Sequence, residues 1–352
     1  MWEGCGIVIA YIVRRLLFLP LVLVGVSLLI FALLQLMSPF SRLAVYVDNP
    51  DSLKHGREQL QEMVEELGLD DPLWIQYGRW IGNVLHGDLG WSESARQPVL
   101  RAILSLLPVS AELALYATLP VVLLGIWLGR LSAVHQDRLV DHAARLVSLI
   151  GWSVPTFVFG ILALLFFYGI LHWCPPGRLG LSASRIVSSD AFISYTKMHT
   201  IDALLNGNLT VLGDALRHLV LPVATLACLS CAMLMRLMRS SMLETLRQDY
   251  VVTARSKGLS EHVVIHKHAQ RNALLPVVTV AGLMIAGLIN GVVVTEMIFN
   301  YRGLGQFAAE AAISLDTASI VGFSLFNGVL LVLTNLVVDV LYVAFDPRVR
   351  LD

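Results

Sequence analysis

The sequence predicts an all-α polytopic membrane protein: six transmembrane helices, both termini cytoplasmic, and a helical outer-face loop between spans one and two. Three observations predict it. Of 352 residues, 56% are hydrophobic and only 14% are charged, where soluble domains carry about 25% charged residues. Six apolar stretches approach or exceed the roughly 20 residues that a helix, rising about 1.5 Å per residue, needs to cross a hydrocarbon core of about 30 Å. Lys and Arg gather in the flanks of one side, as they do on the cytoplasmic face of a membrane protein. The formal net charge of −1 gives no reason to expect nucleic acid as a partner.

The first span follows Arg14 and Arg15 and covers 16–37. It is too long for a signal-peptide core of about 7 to 15 residues, and no small-residue cleavage site follows. Residues 38–112 form the long outer loop. Within it, EQLQEMVEELGL (58–69) reads as an acidic surface helix and WIQYGRWIGNVL (74–85) as an interfacial one, with Trp74, Tyr77 and Trp80 at headgroup depth. The other spans are 113–129, 146–171, 219–235, 273–295 and 320–345, of which 113–129 and 219–235 are short and proline-bearing. A second outer loop starts at 172 and contains CPPGRLG (174–180), a turn because two prolines and a glycine deny both helix and ladder. The chain divides into a first segment with its span (1–37), the outer loop (38–112) and a five-span core (113–352). It carries no evident repeat or linker.

No HExxH, GxSxG, paired cysteine ligands or phosphate-cradling GxxxxGK[ST] is present, so an enzyme reading lacks a constellation. The CxxC at Cys228 and Cys231 lies inside an apolar run, where small packing residues are expected. Ionisable residues within spans are functional candidates by default, and Glu296 and Asp339 are the weak candidates for a substrate path. Snorkelling or an interhelix hydrogen bond accounts for them more simply.

One compact polar segment interrupts the apolar runs: DYVVTARSKGLSEHVVIHKHAQRNALLPV, 249–277. The flanking charges place it in the cytoplasm. A helix is expected to continue from Leu246 to Lys257; Gly258 then supplies the positive-φ position that ends it. Ser260 caps a second short helix, and Pro276 restarts the membrane run. His262 and His266 have i,i+4 spacing, but with no second ligand cluster they make a poor metal site. On composition alone the segment is equally an ordinary basic loop.

TARSKGL followed by QRNALLPVV resembles the cytoplasmic EAA loop of ABC importer permeases, in their dipeptide, oligopeptide and nickel branch. YIVRRLLFLPLVLVGVSLLIF, GLDDPLWIQYGRWIGNVLHGDLGWS (68–92), LPVSAELAL (107–115), LRHLVLPVATLA (216–227), EMIFNYRGLGQ (296–306) and DPRVR (346–350) follow that branch in order. The resemblance implies a multi-pass prokaryotic inner-membrane permease, without enzymatic activity or cofactor of its own. It also implies three kinds of partner besides membrane lipid: a homologous second permease, two ATP-binding subunits that bind ATP and Mg, and an extracytoplasmic solute-binding protein. Within the loop 240–275 and its return it implies an ATPase-coupling elbow at Thr253, Ala254, Arg255, Lys257, Gly258 and Leu259. Arg271, Asn272, Ala273 and Pro276 form the return. Val252 replaces the family's glutamate, and MSPFSRLAVYVDNP (37–50) departs from its usual short turn; the expected solute is a peptide, with oligosaccharide or nickel as alternatives within the family and an ion-coupled secondary transporter as the alternative outside it.

Overall fold

The computed structural model describes residues 3–43, 45–46, 57–289 and 292–345, with side chains described for 17–43, 45–46, 59–285, 287–288 and 292–337. The side chains of Cys5, Arg14, Arg15 and Asp339, part of the 37–50 stretch and the DPRVR motif lie outside them. The described chain is mostly helical, and its single two-stranded sheet pairs β1 (Trp91–Ser92) with β2 (Gln97–Pro98) antiparallel. It divides into two units, 1–110 with 302–333 and 111–301 with 334–352.

The first unit contains α1 (Glu3–Gln35), α2 (Pro39–Leu43), α3 (Arg57–Glu66), α4 (Leu73–Leu85) and the start of α5 (Val99–Val134). It also holds α15 (Leu304–Ile313) and most of α16 (Thr317–Phe345). The expected outer-loop helices are both present. The aromatic residues of α4 divide, however: Trp74 is 76% exposed, while Trp80 is 2% exposed and packs with Tyr77 on Phe31 of α1. Tyr77 also bonds Ser27 at 2.8 Å. The i,i+4 pair Gln76 and Trp80 forms the helix's inner face, and this claims rings that were expected at headgroup depth.

Two polar hubs hold this unit's connections. Arg42, from the unusual 37–50 stretch, donates to Gln76 Oε1 (2.9 Å) and the Leu69 carbonyl (3.3 Å), and Gln76 Nε2 donates to the same carbonyl at 2.8 Å. Asp316 accepts from Ser92 Oγ (3.0 Å), Ser94 N (3.0 Å), Ser94 Oγ (2.8 Å), Ser319 Oγ (2.7 Å) and Ser319 N (3.1 Å). Those five bonds satisfy a carboxylate that is only 4% exposed.

The second unit is organised on α10 (Leu209–Leu246), whose 38 residues are about 57 Å long, nearly twice a hydrocarbon core. Asn208 caps it, accepting from Val211 N at 3.1 Å. The latter part of α5 approaches it through a GxxxG step, Gly125 and Gly129. A Cβ on Gly125 would lie 2.7 Å from Leu234 Cβ, and one on Gly129 would lie 2.6 Å from the Met235 carbonyl oxygen. Leu234, Met238 and Met242 are completely buried behind this contact.

The expected third span is not one straight helix. α6 (Leu139–Ser153) and α7 (Thr156–Leu164, extended by a π turn over Leu165–Ile170) meet at 98°. Pro155 has no N–H to continue the ladder and forces Val154 into extended backbone, ψ 122°. Four helices among the described residues are long and apolar enough to cross a membrane, five with the bent pair. The expected second and fourth spans lie inside α5 and α10. Of the expected fifth, α13 (Gln270–Ile289) supplies the helix, and its last residues belong to the separate α14 (Val293–Ile298). Cys228 is exposed and Cys231 half-buried, so the apolar run around them is not buried packing throughout.

Candidate coupling surface and its buried supports

α10 does not run on to Lys257 as its sequence suggests. It ends at Leu246, Gln248 is extended (ψ 147°), and α11 (Asp249–Ser256) starts afresh. Val251 (0% exposed) and Ala254 (5%), three residues apart, turn inward onto Val264, leaving Tyr250, Val252, Thr253, Arg255 and Ser256 on the outer side. Gly258 then takes φ +74°. Its N–H donates to the Arg255 carbonyl at 2.9 Å, and that of Leu259 to the Ala254 carbonyl at 3.4 Å. This pair of bonds is the Schellman closure, and it satisfies helix-end carbonyls as the chain reverses.

Ser260 occupies the N-cap position expected of it, but its side chain makes no cap bond. Arg255 clamps the elbow instead: its Nη2 and Nε donate to Glu261 Oε1 (2.6 Å) and Oε2 (3.2 Å). Hydrogen bonding to Arg255 holds the Glu261 carboxyl below its ordinary range. Beyond it, α12 (Glu261–Val263), a π turn (Val264–Ala269) and α13 follow without interruption. Pro276 therefore sits inside α13 rather than restarting a helix.

The expected elbow residues thus fall together, with Thr253, Arg255, Lys257, Gly258 and Leu259 exposed. Ala254 is the exception and belongs to the support beneath. Arg271 and Asn272 are exposed at the start of α13, and Asn272 Nδ2 donates to Tyr250 OH at 2.8 Å, tying the return to α11. From α5, Arg130 Nη1 reaches Gln270 Oε1 and His266 Nδ1, each at 3.2 Å. A buried ion pair lies between α6 and α10: Arg239 Nη2 and Nε donate to Asp141 Oδ2 (2.7 Å) and Oδ1 (2.8 Å), and Ser132 Oγ also donates to Asp141. In the sequence Arg130 and Arg239 count only among the flanking charges that set orientation. Their acceptors lie about 100 or more residues away, or on another helix, and spacing cannot pair them.

Glu296 is 0% exposed, on α14, so it does not snorkel to a surface. A more telling carboxylate escaped notice. Glu112, 1% exposed on α5, accepts four bonds: Thr200 N and Oγ1 (2.8 Å each), Arg178 Nη2 (2.9 Å) and Tyr301 OH (3.2 Å). Burial and the Glu112 charge push the Tyr301 hydroxyl well above its usual range, which keeps it a donor. Nearby, Asp202 gathers Ser194 Oγ (3.0 Å), Thr196 N and Oγ1 (2.8 Å each) and Lys197 N (3.0 Å). His199 lies beside these groups. Burial and the Arg178 charge lower its pKa to about 4 against the opposing pull of Glu112 and Asp202, so its imidazole is neutral.

Residues 122–351 match the family model described as "Binding-protein-dependent transport system inner membrane component". The chain is 38% identical over 348 residues, 97% of its length and 99% of the other's, to the di/tripeptide transport system permease protein DppB of Pseudomonas aeruginosa (strain UCBPP-PA14). It is 35% identical over 342 residues to the oligopeptide transport system permease protein AppB of Bacillus subtilis (strain 168), 97% and 99% covered. To the probable D,D-dipeptide transport system permease protein DdpB of Escherichia coli (strain K12) it is 39% identical over 291 residues, 82% and 84% covered.

Proposed function

The chain belongs to the family of binding-protein-dependent transport inner-membrane components, and on that premise we propose that it is the permease subunit of an ATP-driven importer of peptides. Relatives named for dipeptide, di/tripeptide and oligopeptide transport over nearly the full chain favour peptide over oligosaccharide or nickel. In this reading α13 provides the sixth crossing and both termini are cytoplasmic. The chain pairs with a homologous permease, receives solute from an extracytoplasmic binding protein, and is driven by two ATPase subunits that carry the ATP and Mg. It is not itself an enzyme.

The observation that carries the coupling role is the Gly258 elbow. It presents an exposed short helix whose inner face packs on Leu246, at the end of α10, and on Val264, in the π turn that runs unbroken into α13. Movement imposed on α11 by a nucleotide-driven partner is therefore transmitted to two long helices as a lever, which biases one of two packings. Val252 removes the family's usual acid. The exposed surface pairs Tyr250, Val252 and Leu259 with Lys257, and Glu261 supplies the carboxylate from the far side of the elbow, already held by Arg255. The contact with the ATPase is then apolar and basic on this side.

Gly258→Pro tests this. A proline cannot adopt φ +74° and has no N–H for the Arg255 carbonyl, a disruption of about 3 kcal/mol or more confined to the elbow. The expected outcome is normal membrane insertion and assembly with loss of ATP-coupled peptide uptake. Uptake at the wild-type rate would remove the coupling role.

A further inference from the structure

The coupling reading does not use the EMIFNYRGLGQ motif, whose Arg302, Gly303 and Gln306 border a cavity of about 250 Å³ in the first unit. Ser94, Gln97, Arg302, Gly303, Gln306 and Glu310 supply its polar lining. One wall is the β1–β2 turn, which Asp316 fixes by accepting from Ser92 Oγ and from Ser94 N and Oγ. The other wall is α15, held at its base where Leu304 N donates to Ser110 Oγ at 2.8 Å. Both walls are thus held by hydrogen bonds within this unit.

The cavity is electrically polarised. At one end stand Arg302, exposed and without a hydrogen-bond or ion-pair partner among the described residues, and Gly303, the N-cap of α15. A guanidinium beside a helix N-terminus favours an anion. At the other end Glu310 lies in the last turn of α15, where the helix dipole disfavours a carboxylate, and Gln306 Nε2 bonds its Oε1 at 2.7 Å. A cation placed there relieves both effects. Seven residues of helix separate Gly303 from Glu310, about 10 Å along the axis. An extended two-residue chain spans about 7 Å, and a charge-assisted hydrogen bond adds about 3 Å.

We propose that this cavity binds a short zwitterionic peptide, its free carboxylate on Arg302 at the N-terminus of α15 and its ammonium group toward Glu310. The site deepens the peptide-import reading and rests on it. The cavity volume suits a dipeptide or one end of a longer peptide, and the neutral lining offers the peptide group Ser94 Oγ as an acceptor, its proton being given to Asp316, and the Gln97 amide as donor and acceptor. Specificity at this site comes from the two ends, not from side-chain pockets.

The test uses the assembled transporter, with its partner subunits, in proteoliposomes. Uptake of alanyl-alanine is measured against its C-terminal amide and its N-acetyl derivative, for wild type, Arg302→Ala, Arg302→Lys and Glu310→Gln. The same binding protein serves every variant, so its own preference cancels when the ratios are compared. Arg302→Ala is expected to cut the preference for the free carboxylate over the amide about tenfold, the worth of one charge-assisted hydrogen bond pair. Arg302→Lys should keep most of it, and Glu310→Gln should affect only the comparison with the N-acetyl derivative. Unaltered ratios overturn the proposal. So does an equal fall for all three peptides, which would mark the site as a support or as a docking point for the binding protein. A wild-type transporter that takes up none of them would instead overturn the transport reading on which the proposal rests.

Discussion

Replacing Glu112 by glutamine tests whether its four-bond knot holds the 172–208 segment in place. An amide oxygen still accepts from Thr200 N and Oγ1, but the new NH₂ cannot accept from Arg178 Nη2 or Tyr301 OH. Arg178 then keeps only the Lys197 carbonyl at 3.0 Å as an acceptor and loses its counter-charge. Breaking a fully buried pair costs about 3–5 kcal/mol. Because the Arg178 side chain is 18% exposed, water recovers part of its solvation, and about 2–3 kcal/mol is the expected loss. Read as local opening, that is an increase of roughly 30- to 150-fold in amide exchange. The increase should appear over 193–208 and be absent in α11. Glu112→Gln combined with Arg178→Met removes the stranded charge and should recover part of the protection. Unchanged exchange in the single variant, or equal loosening throughout the chain, would refute the assignment of the knot to this segment.

Two further outcomes follow from the same geometry. Gly129→Leu should prevent accumulation of folded protein, since a Cβ there falls 2.6 Å from both the Met235 carbonyl oxygen and Met238 Cβ; Gly213→Ala, with nothing within 4 Å, should be tolerated, and expression with a detergent melting curve separates them. For His199 the folded pKa of about 4 lies below the ordinary 6.5. The unfolded segment therefore binds more protons between those values, and stability rises with pH across that window. Exchange protection of 193–208 should be full above about pH 6.5 and fall as pH drops toward 4, by at most about 3 kcal/mol. His199→Gln should flatten the dependence, and a wild-type profile that is flat from pH 7 to 4 would contradict the assignment.

The Gly258 elbow was legible because its cause is local. A helix ending in Ser-Lys-Gly needs one residue at positive φ, and Gly258 is that residue whatever surrounds it. The Val154–Pro155 break was legible in principle for the same reason, yet an unbroken run of apolar residues hid it, since apolarity scores length and not direction. The 37–50 stretch could be seen to be unusual, but not that Arg42 would reach Gln76 and Leu69. Glu112 fell one residue outside the span drawn over 113–129. Its partners at 178, 200 and 301 come from three different segments.

These misses have a common physical origin. In water an apolar face implies a buried face, so periodicity locates the core; in lipid it does not. Leu17 and Leu21 on α1 are 73% and 66% exposed, while Leu234 and Met238 on α10 are completely buried, though both helices are apolar enough to span. Without a hydrophobic difference to sort them, helices in lipid are ordered by close approach and by polar bonds. The residues that do the ordering here are Gly125 and Gly129, the Asp141–Arg239 pair and the Glu112 knot. The GxxxG step could have been read from the sequence, being a spacing inside one apolar run. The polar pairs could not, because each joins positions that only the folded chain brings together. The mechanically coupled parts of this permease are therefore best sought at its few buried polar contacts, where two alternative packings would differ in bonded partners, rather than along its apolar surfaces, which lipid and protein satisfy alike.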